Sequence, residues 1–414
     1  MAKKEKTPLA KSNGWVQNFN LVGEVKLNDY TFKLDERSDK SDWVYNALNL
    51  GVDCGEKHGT VYAELMGGYG SERTNNVVYV HGKKEDGSDD FKNQYTIDWD
   101  DRFDESILED IGDLCYLTIG LEKDSKDKTF YKKFLTPYDF IAYASEHLED
   151  GMVVNVRGQI KYTVYNGNIQ CRKEINSIAL SSATPDKYRA TFTQTMLLDR
   201  DSVTKDSIDK DKGVINVDAM ILEKFKEYNG WDLTEGGKVK GGAFVPLHKN
   251  FEYEINPEKP ELTTAVINKL FKVKKGVTQI TWEGEFVESG ATVTATLDDL
   301  TEDIRELITL GLYTEEEALA KCTVGGSKER RMILKKPSIK MIELEDGDEK
   351  IPQIQRFEEA FAEEDLQLEC LIPKETDEEE EEADDFDKLI NEDSDSESTV
   401  DEDDELTSLL AALD

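Results

Sequence analysis

The sequence predicts a mainly β chain with short helices: two similar small barrels in tandem, followed by a disordered acidic C-terminal tail. Three observations predict this. Aromatic and β-branched runs broken by Gly, Asn and Asp recur along residues 15–342, as strands and hairpins require. One order of elements occurs twice. Residues 375–414 hold twenty acids against one base, Lys388, half of the net charge of −38. A run of like charges that dense has no apolar burial to offset its self-repulsion.

In the first half, Trp15–Leu27, Trp43–Cys54 and Thr60–Met66 read as strands. A further hairpin (Asn76–Gly82, Gln94–Trp99) and a short helix near Asp104–Asp110 follow. Thr136–Leu148 reads as a helix with Pro137 at its first position and Tyr138, Ile141 and Ala142 at helical spacing. The chain returns to strand at Met152–Tyr165, turns at Asn166-Gly167 and runs back through Asn168–Leu180; Asn-Gly between alternating runs is a strong hairpin signal. The second half gives strands at Tyr188–Asp199, Gly213–Tyr228 and Gly242–Ile255, then a helix at Pro260–Val273. A strand Val277–Glu288 follows, with a return through Ala291–Leu297. Helices at Asp299–Leu310 and Thr314–Cys322 precede a last strand, Arg330–Ile342. In both halves a Gly opens the strand after the helix and a second Gly lies inside it: Gly151 and Gly158, Gly276 and Gly284. Three strands, a helix, then two strands is the order of the OB-fold, so the fold class is tandem OB-fold-like barrels. The segments are a basic arm (1–14), a first barrel (15–183), a second with a helical insertion (187–342), an acidic linker (343–374) and the tail (375–414).

Of 89 acids and 51 bases, 58 and 47 remain in residues 1–341, so basic surfaces can exist that the pI of 4.5 conceals. No apolar run reaches membrane-spanning length, and the start is polar and basic rather than a signal peptide. Five scattered cysteines without CxxC spacing point to reduced thiols and no zinc site, hence a cytoplasmic setting (a host's, if the chain is viral).

The stretch LEDGMVVNVRGQIKYTVYNGNIQCRKEINSIAL, the element order and an acidic tail ending in an apolar tip resemble the single-stranded DNA-binding proteins of bacteria and their phages. The size and tandem layout suit a large phage version. The resemblance covers residues 15–180 and the general style of the tail; it reaches 188–341 only through element order. It implies a long hairpin from the fourth and fifth strands. It also implies a tail that recruits replication and repair enzymes.

The residues themselves supply the chemistry. Alternation along Val154–Tyr165 puts Val154, Val156, Ile160, Tyr162 and Val164 on one face and Arg157, Gln159, Lys161, Thr163 and Tyr165 on the other. Gln170 and Arg172 join the polar face across the turn. Cations for phosphates and rings for base stacking are what single strands need. The segment from Lys126 to Phe134 interleaves Lys128, Lys132 and Lys133 with Tyr131 and two phenylalanines. Tyr62 and Tyr79 are further stacking candidates. Aligned on Gly158 and Gly284, Arg157 becomes Glu283, Gln159 becomes Glu285 and Tyr162 becomes Glu288, an inversion of outward charge that would repel phosphates. The second barrel then serves structure, self-association or partner binding, with an auxiliary basic edge at Arg330-Arg331 and Lys335-Lys336. In the tail, Phe386, Leu389 and Ile390, and Leu406, Leu409, Leu410 and Leu413, read as two docking segments, since a pure solubiliser has no use for exposed Leu and Phe.

Enzymatic signatures are missing. The four histidines fall in different segments without metal-ligand spacing, Gly236-Gly237-Lys238 lacks the rest of a phosphate loop, and no Cys/His pairing shows. The expectation is a non-enzymatic, cofactor-free protein. Its partners would be single-stranded DNA and, through the tail, replication and recombination enzymes, with self-association possible. The alternative is an acidic scaffold or nucleic-acid mimic whose barrels bind protein, and a third reading is a metal-dependent nuclease.

Overall fold

The protein is described by a computed structural model that covers residues 9, 12, 14–125, 128–165, 167–234, 241–288, 292–293, 300–310, 313–315, 318, 324–325, 330–343 and 350–371. The strands of the first half are β1 (Gln17–Lys26), β2 (Phe32–Arg37), β3 (Trp43–Asp53), β4 (Thr60–Gly70), β5 (Val77–Lys83), β6 (Asp89–Asp98), β7 (Leu117–Lys123), β8 (Thr129–Phe134), β9 (Val153–Tyr165) and β10 (Asn168–Leu180). Helix α1 is Glu105–Leu108 and α2 is Pro137–His147. The second half holds β11 (Arg189–Leu198), β12 (Ile208–Asp209), β13 (Val214–Phe225), β14 (Glu227–Tyr228), β15 (Trp231–Asp232), β16 (Ala243–Glu254) and helix α3 (Pro260–Val266). It continues with β17 (Val277–Val287), β18 (Thr292–Val293), α4 (Glu302–Thr309), β19 (Val324–Gly325), β20 (Arg331–Pro337), β21 (Ile339–Glu343), β22 (Lys350–Ile354) and β23 (Arg356–Phe361).

Two barrels close by one rule. In the first, β1 pairs β3, β3 pairs β4, β4 meets β10 in parallel at Glu64 and Glu174, β10 pairs β9, and β9 returns to β1. In the second, the ring runs β11, β13, β16, β20, β17 and back to β11, again with one parallel pairing, Glu252 with Ile333 and Tyr253 with Leu334. The helix lies between the third and fourth strands each time. This is tandem OB topology, as the element order predicts.

The barrels join along their first strands. β1 and β11 run antiparallel with Phe19 opposite Phe192, about a local two-fold axis. Phe19 also faces Gly158 on β9, and Phe192 faces Gly284 on β17. A Cβ on Gly158 would stand 2.8 Å from the Phe19 ring, and one on Gly284 would overlap the Phe192 ring. Both internal glycines therefore leave room for a phenylalanine at the axis. The apolar core runs unbroken through both barrels, from Phe140, Ile160 and Leu50 to Phe192, Phe251 and Trp282. In the second barrel Phe271 stacks on Trp282 with ring centroids 4.8 Å apart.

Thr136 caps α2, accepting from the Asp139 N–H at 3.2 Å, and the helix buries Phe140, Ile141 and Ala144; of the expected positions only Ile141 is buried, while Tyr138 and Ala142 are half-buried. Between β4 and α2 an insertion forms the β5–β6 hairpin with its own small core of Val80, Ile97 and Ile111. It docks through Trp99, 5.3 Å from Tyr69, and through Arg102, 2.8 Å from Asp139.

Two expectations need correction. Within the expected linker 343–374, residues 350–371 are structured: β22 pairs β21, β23 pairs β17, and Leu371 is fully buried. The acid-rich composition there hides an apolar set (Ile351, Ile354, Phe357, Phe361) sufficient to hold a strand. The second barrel is closed by β20 rather than by a return strand at 291–297, of which only β18 is described; it pairs β19. The 1–14 arm is described only at Leu9, Ser12 and Gly14, and the tail lies outside the described residues.

Candidate nucleic-acid interface

The two 13-residue strands β9 and β10 form an arm longer than the barrel beneath it. Strict alternation sets its faces. Val154, Val156, Ile160 and Tyr162 are buried, and Arg157, Gln159 and Lys161 are exposed. Toward the tip no core remains to cover, so Val164 is 39% exposed and Tyr165 64% exposed.

The inner side of the arm rests on the second barrel. The Tyr162 hydroxyl donates to Gln194 Oε1 at 2.9 Å, and the Tyr162 N–H donates to Glu223 Oε1 at 3.0 Å. Burial pushes the Glu223 carboxyl above its ordinary value, against the hydrogen bonds it accepts from Tyr162 and Gln17. Lys173 Nζ donates to Glu288 Oε1 at 2.7 Å and lies 4.6 Å above the Phe286 ring; both charged groups are buried. A buried pair of this kind fixes geometry, because losing either partner strands the other charge. The arm is therefore held at its inner face while its outer face stays open.

On that outer face Arg172 sits directly across from Lys161. Like charges in register repel, and Arg172 finds relief in a hydrogen bond to Glu64 on β4. Neither Arg157 nor Lys161 has a carboxylate within ion-pair distance among the described residues. Beside Arg172 opens a cleft of about 750 Å³ between the barrels. Tyr30 and Tyr62 line it from the first barrel, Lys249 and Arg330 from the second. Tyr30 is 78% exposed, whereas the Tyr62 ring lies along Gly51, where a Cβ would stand 3.2 Å from it. Arg330 is 3.8 Å from Glu288. Deeper in, burial pushes the Cys171 thiol up.

The structure thus brings together Arg157, Lys161, Arg172 and Tyr62, with Tyr165 at the arm's tip. The second basic segment reaches them only through the row of Arg157. Strand β8 pairs β7, and β7 meets β10 at Ser177–Ala179, which puts Lys133 in register with Thr118, Ser177 and Arg157, three strands from Arg157; that row lies five residues from Arg172, roughly 17 Å along the strand. Lys132 is 3.1 Å from Glu122 and 4.2 Å above Tyr143; Lys133 is 3.0 Å from Asp113. Lys128 and Tyr131 are exposed on the same edge, and Tyr79, 80% exposed, belongs to the separate β5–β6 hairpin.

The inverted charge of the second barrel is real in sequence and offset in space. Glu283 is 3.1 Å from Lys336, and Glu285 is 2.6 Å from Lys57 and 3.5 Å from Lys335. Arg331 is 2.5 Å from Glu252. Lys335, Lys336 and Arg331 are consequently tied to acids and form no free basic edge. Tyr30 and Lys249 were not legible as site residues, since only the meeting of the barrels gives them a common cleft. Phe386, Leu389, Ile390, Leu406, Leu409, Leu410 and Leu413 lie outside the described residues.

No group of three or more His, Cys, Asp or Glu among the described residues could hold a metal ion. No helix among them is long and apolar enough to cross a membrane. One Cys/His pairing that the sequence does not show is present: Cys115 Sγ lies 3.2 Å from His81 Nδ1.

No protein-family model matches the chain, and no curated protein matches it in sequence. Among solved structures it is similar to a deletion variant of the single-stranded DNA-binding protein from Thermus aquaticus, at 10% identity and a TM-score of 0.26, over 66% of this chain and 88% of that one.

Proposed function

We propose that this chain binds single-stranded DNA along the outer face of the arm and into the cleft beside it, without catalysis and without a cofactor. The observation that carries the reading is the continuity of that surface. Arg157 and Lys161 lead to Arg172, which also lines the cleft shared with Tyr62, Lys249 and Arg330. Cations at strand spacing meet successive phosphates, and Tyr30, Tyr62 and Tyr165 offer ring faces to unstacked bases, worth roughly 1–3 kcal/mol per base. The contacts holding the arm to the second barrel mean that little order must be gained on binding. The tail has two roles in this proposal. Its acids compete for the cationic strip when DNA is absent. Its apolar segments, Phe386–Ile390 and Leu406–Leu413, dock replication and recombination enzymes.

The test is fluorescence anisotropy on a labelled oligo-dT strand with EDTA present, across a salt series, for the full chain and a 1–374 truncation. Tight binding that weakens steeply with salt and is tighter in the truncation supports both parts. No binding by either at low salt removes the strand-binding reading, and equal binding by both removes the competition.

A further inference from the structure

Three side chains from separate stretches of the inserted subdomain meet at its edge, where nothing in strand binding requires them. His81 on β5 places Nε2 2.7 Å from Asp89 Oδ1 on β6, and its other ring nitrogen, Nδ1, 3.2 Å from Cys115 Sγ. Asp89 also accepts the Leu114 N–H at 2.9 Å. That amide first, and His81 after it, hold the Asp89 carboxyl below the usual carboxylate range. A charged Asp89 keeps the imidazole proton on Nε2, which leaves the Nδ1 lone pair facing the thiol. The Phe91 ring, its centroid 4.7 Å from that of His81, fixes the plane of the imidazole.

Cys115 is partly exposed, packed against the small core of the subdomain and following Leu114 (71% exposed) in the chain. Burial pushes its thiol up, so the proton rests on sulfur until a base takes it. The backbone restricts which reaction can follow. The Cys115 N–H donates to Gly112 O at 3.1 Å, the Tyr116 N–H to Asp113 O at 3.3 Å, and the Gly112 N–H to His81 O at 2.8 Å. No pair of free N–H groups is left there to stabilise an oxyanion, which acyl transfer needs. Displacement at sulfur develops no oxyanion and has no such requirement.

We infer that Cys115 is a nucleophilic thiol with His81 as its base and Asp89 as the positioning residue, and that its substrate is a low-molecular-weight disulfide. Cys115 Sγ attacks one sulfur of R–S–S–R while its proton passes to His81 Nδ1. The disulfide bond breaks as the new Sγ–S bond forms. The departing thiolate takes the proton from the imidazolium and leaves as R–SH. Cys115 is oxidised to the mixed disulfide, and one half of the substrate is reduced.

The experiment treats the full-length protein with oxidised glutathione and, separately, with 2,2′-dithiodipyridine. It locates the mixed disulfide by peptide mass spectrometry and follows its rate against pH. Cys115 is expected to react ahead of Cys370, with a rate that already rises below the thiol range. His81→Gln should slow it by about 100-fold at neutral pH, the lower end of general-base contributions, and the deficit should close at alkaline pH where the thiol ionises unaided. Asp89→Asn, which preserves size, should give a smaller loss and a displaced pH limb. Equal neutral-pH rates for Cys115 in the wild type and His81→Gln would overturn the inference. Should His81→Gln not fold, the wild-type profile decides alone: a single rise in or above the ordinary thiol range, at about pH 8.5 or higher, overturns it.

Discussion

Replacing Arg157 and Lys161 together by Ala separates the two cationic surfaces of the first barrel. Each single-strand phosphate neutralised contributes about 0.7 to the slope of log K against log salt. Both side chains are exposed and neither has an ion-pair partner among the described residues, so both are available to phosphates. Their loss should lower the slope by about 1.4 and weaken binding about 25-fold at 0.1 M salt, with the difference vanishing toward 1 M. The matched control is Lys132→Ala with Lys133→Ala. Those ammonium groups are 3.1 Å from Glu122 and 3.0 Å from Asp113, on the β7–β8 hairpin. Recruiting them would mean breaking existing pairs, so that double variant should stay within about two-fold of wild type. Anisotropy titrations of oligo-dT at several salt concentrations give both quantities at once. A slope unchanged by the first variant, or lowered as much by the second, would refute the assignment of the arm as the binding surface.

Three further outcomes follow from the same geometry. Glu64→Gln releases Arg172 for a phosphate, so it should tighten strand binding and steepen the salt slope by about 0.7, read in the same titrations. Lys173→Met leaves the buried Glu288 facing only the exposed Arg330, 3.8 Å away, among the described cations and should cost about 3 kcal/mol by urea denaturation, whereas Lys173→Met with Glu288→Leu should recover most of it. Gly158→Ala drives a methyl against the Phe19 ring and the Glu174 carbonyl, so a loss of about 1–3 kcal/mol and a lower Tm are expected in calorimetry.

What could be read in the sequence was set by neighbours along the chain. The outward set Arg157, Gln159 and Lys161 is visible because a strand alternates whatever it packs on, and α2 because Thr136 and Pro137 start a helix locally. The order of strands and helices was enough to give the topology of the first barrel, whereas the second is closed by β20 and not by the expected return at 291–297. The partners of each charge were not legible, because they come from far away in the chain. Arg172 meets Glu64 across 108 residues, and Lys173 meets Glu288 across 115. The same distance effect made Glu283 and Glu285 look repulsive, whereas Lys132 and Lys133 meet acids of the adjoining stretch, Glu122 and Asp113, which the β7–β8 pairing brings to them. Cys115, His81 and Asp89 come from three stretches whose spacing follows no motif; only the β5–β6 register and the Asp113–Cys115 turn unite them.

The two barrels share one architecture and use it differently, and the local two-fold axis shows where they diverge. Gly158 and Gly284 hold equivalent positions against Phe19 and Phe192, so Arg157 and Glu283, Gln159 and Glu285, and Tyr162 and Glu288 are equivalent too. On β9 the outward members stay exposed. On β17 they are bound by lysines: Glu283 by Lys336, Glu285 by Lys335 and by Lys57 of the first barrel. The third pair reads the other way. Tyr162 and Glu288 both turn inward and both grip the opposite barrel, through Gln194 and Lys173. With Glu223 they make the second barrel the support on which the arm lies. A two-stranded arm extending beyond its own core would otherwise be marginal in water. The outward charge of the second barrel is opposite in sign and is neutralised in place by its lysine partners, while the inward contacts of both barrels hold the arm.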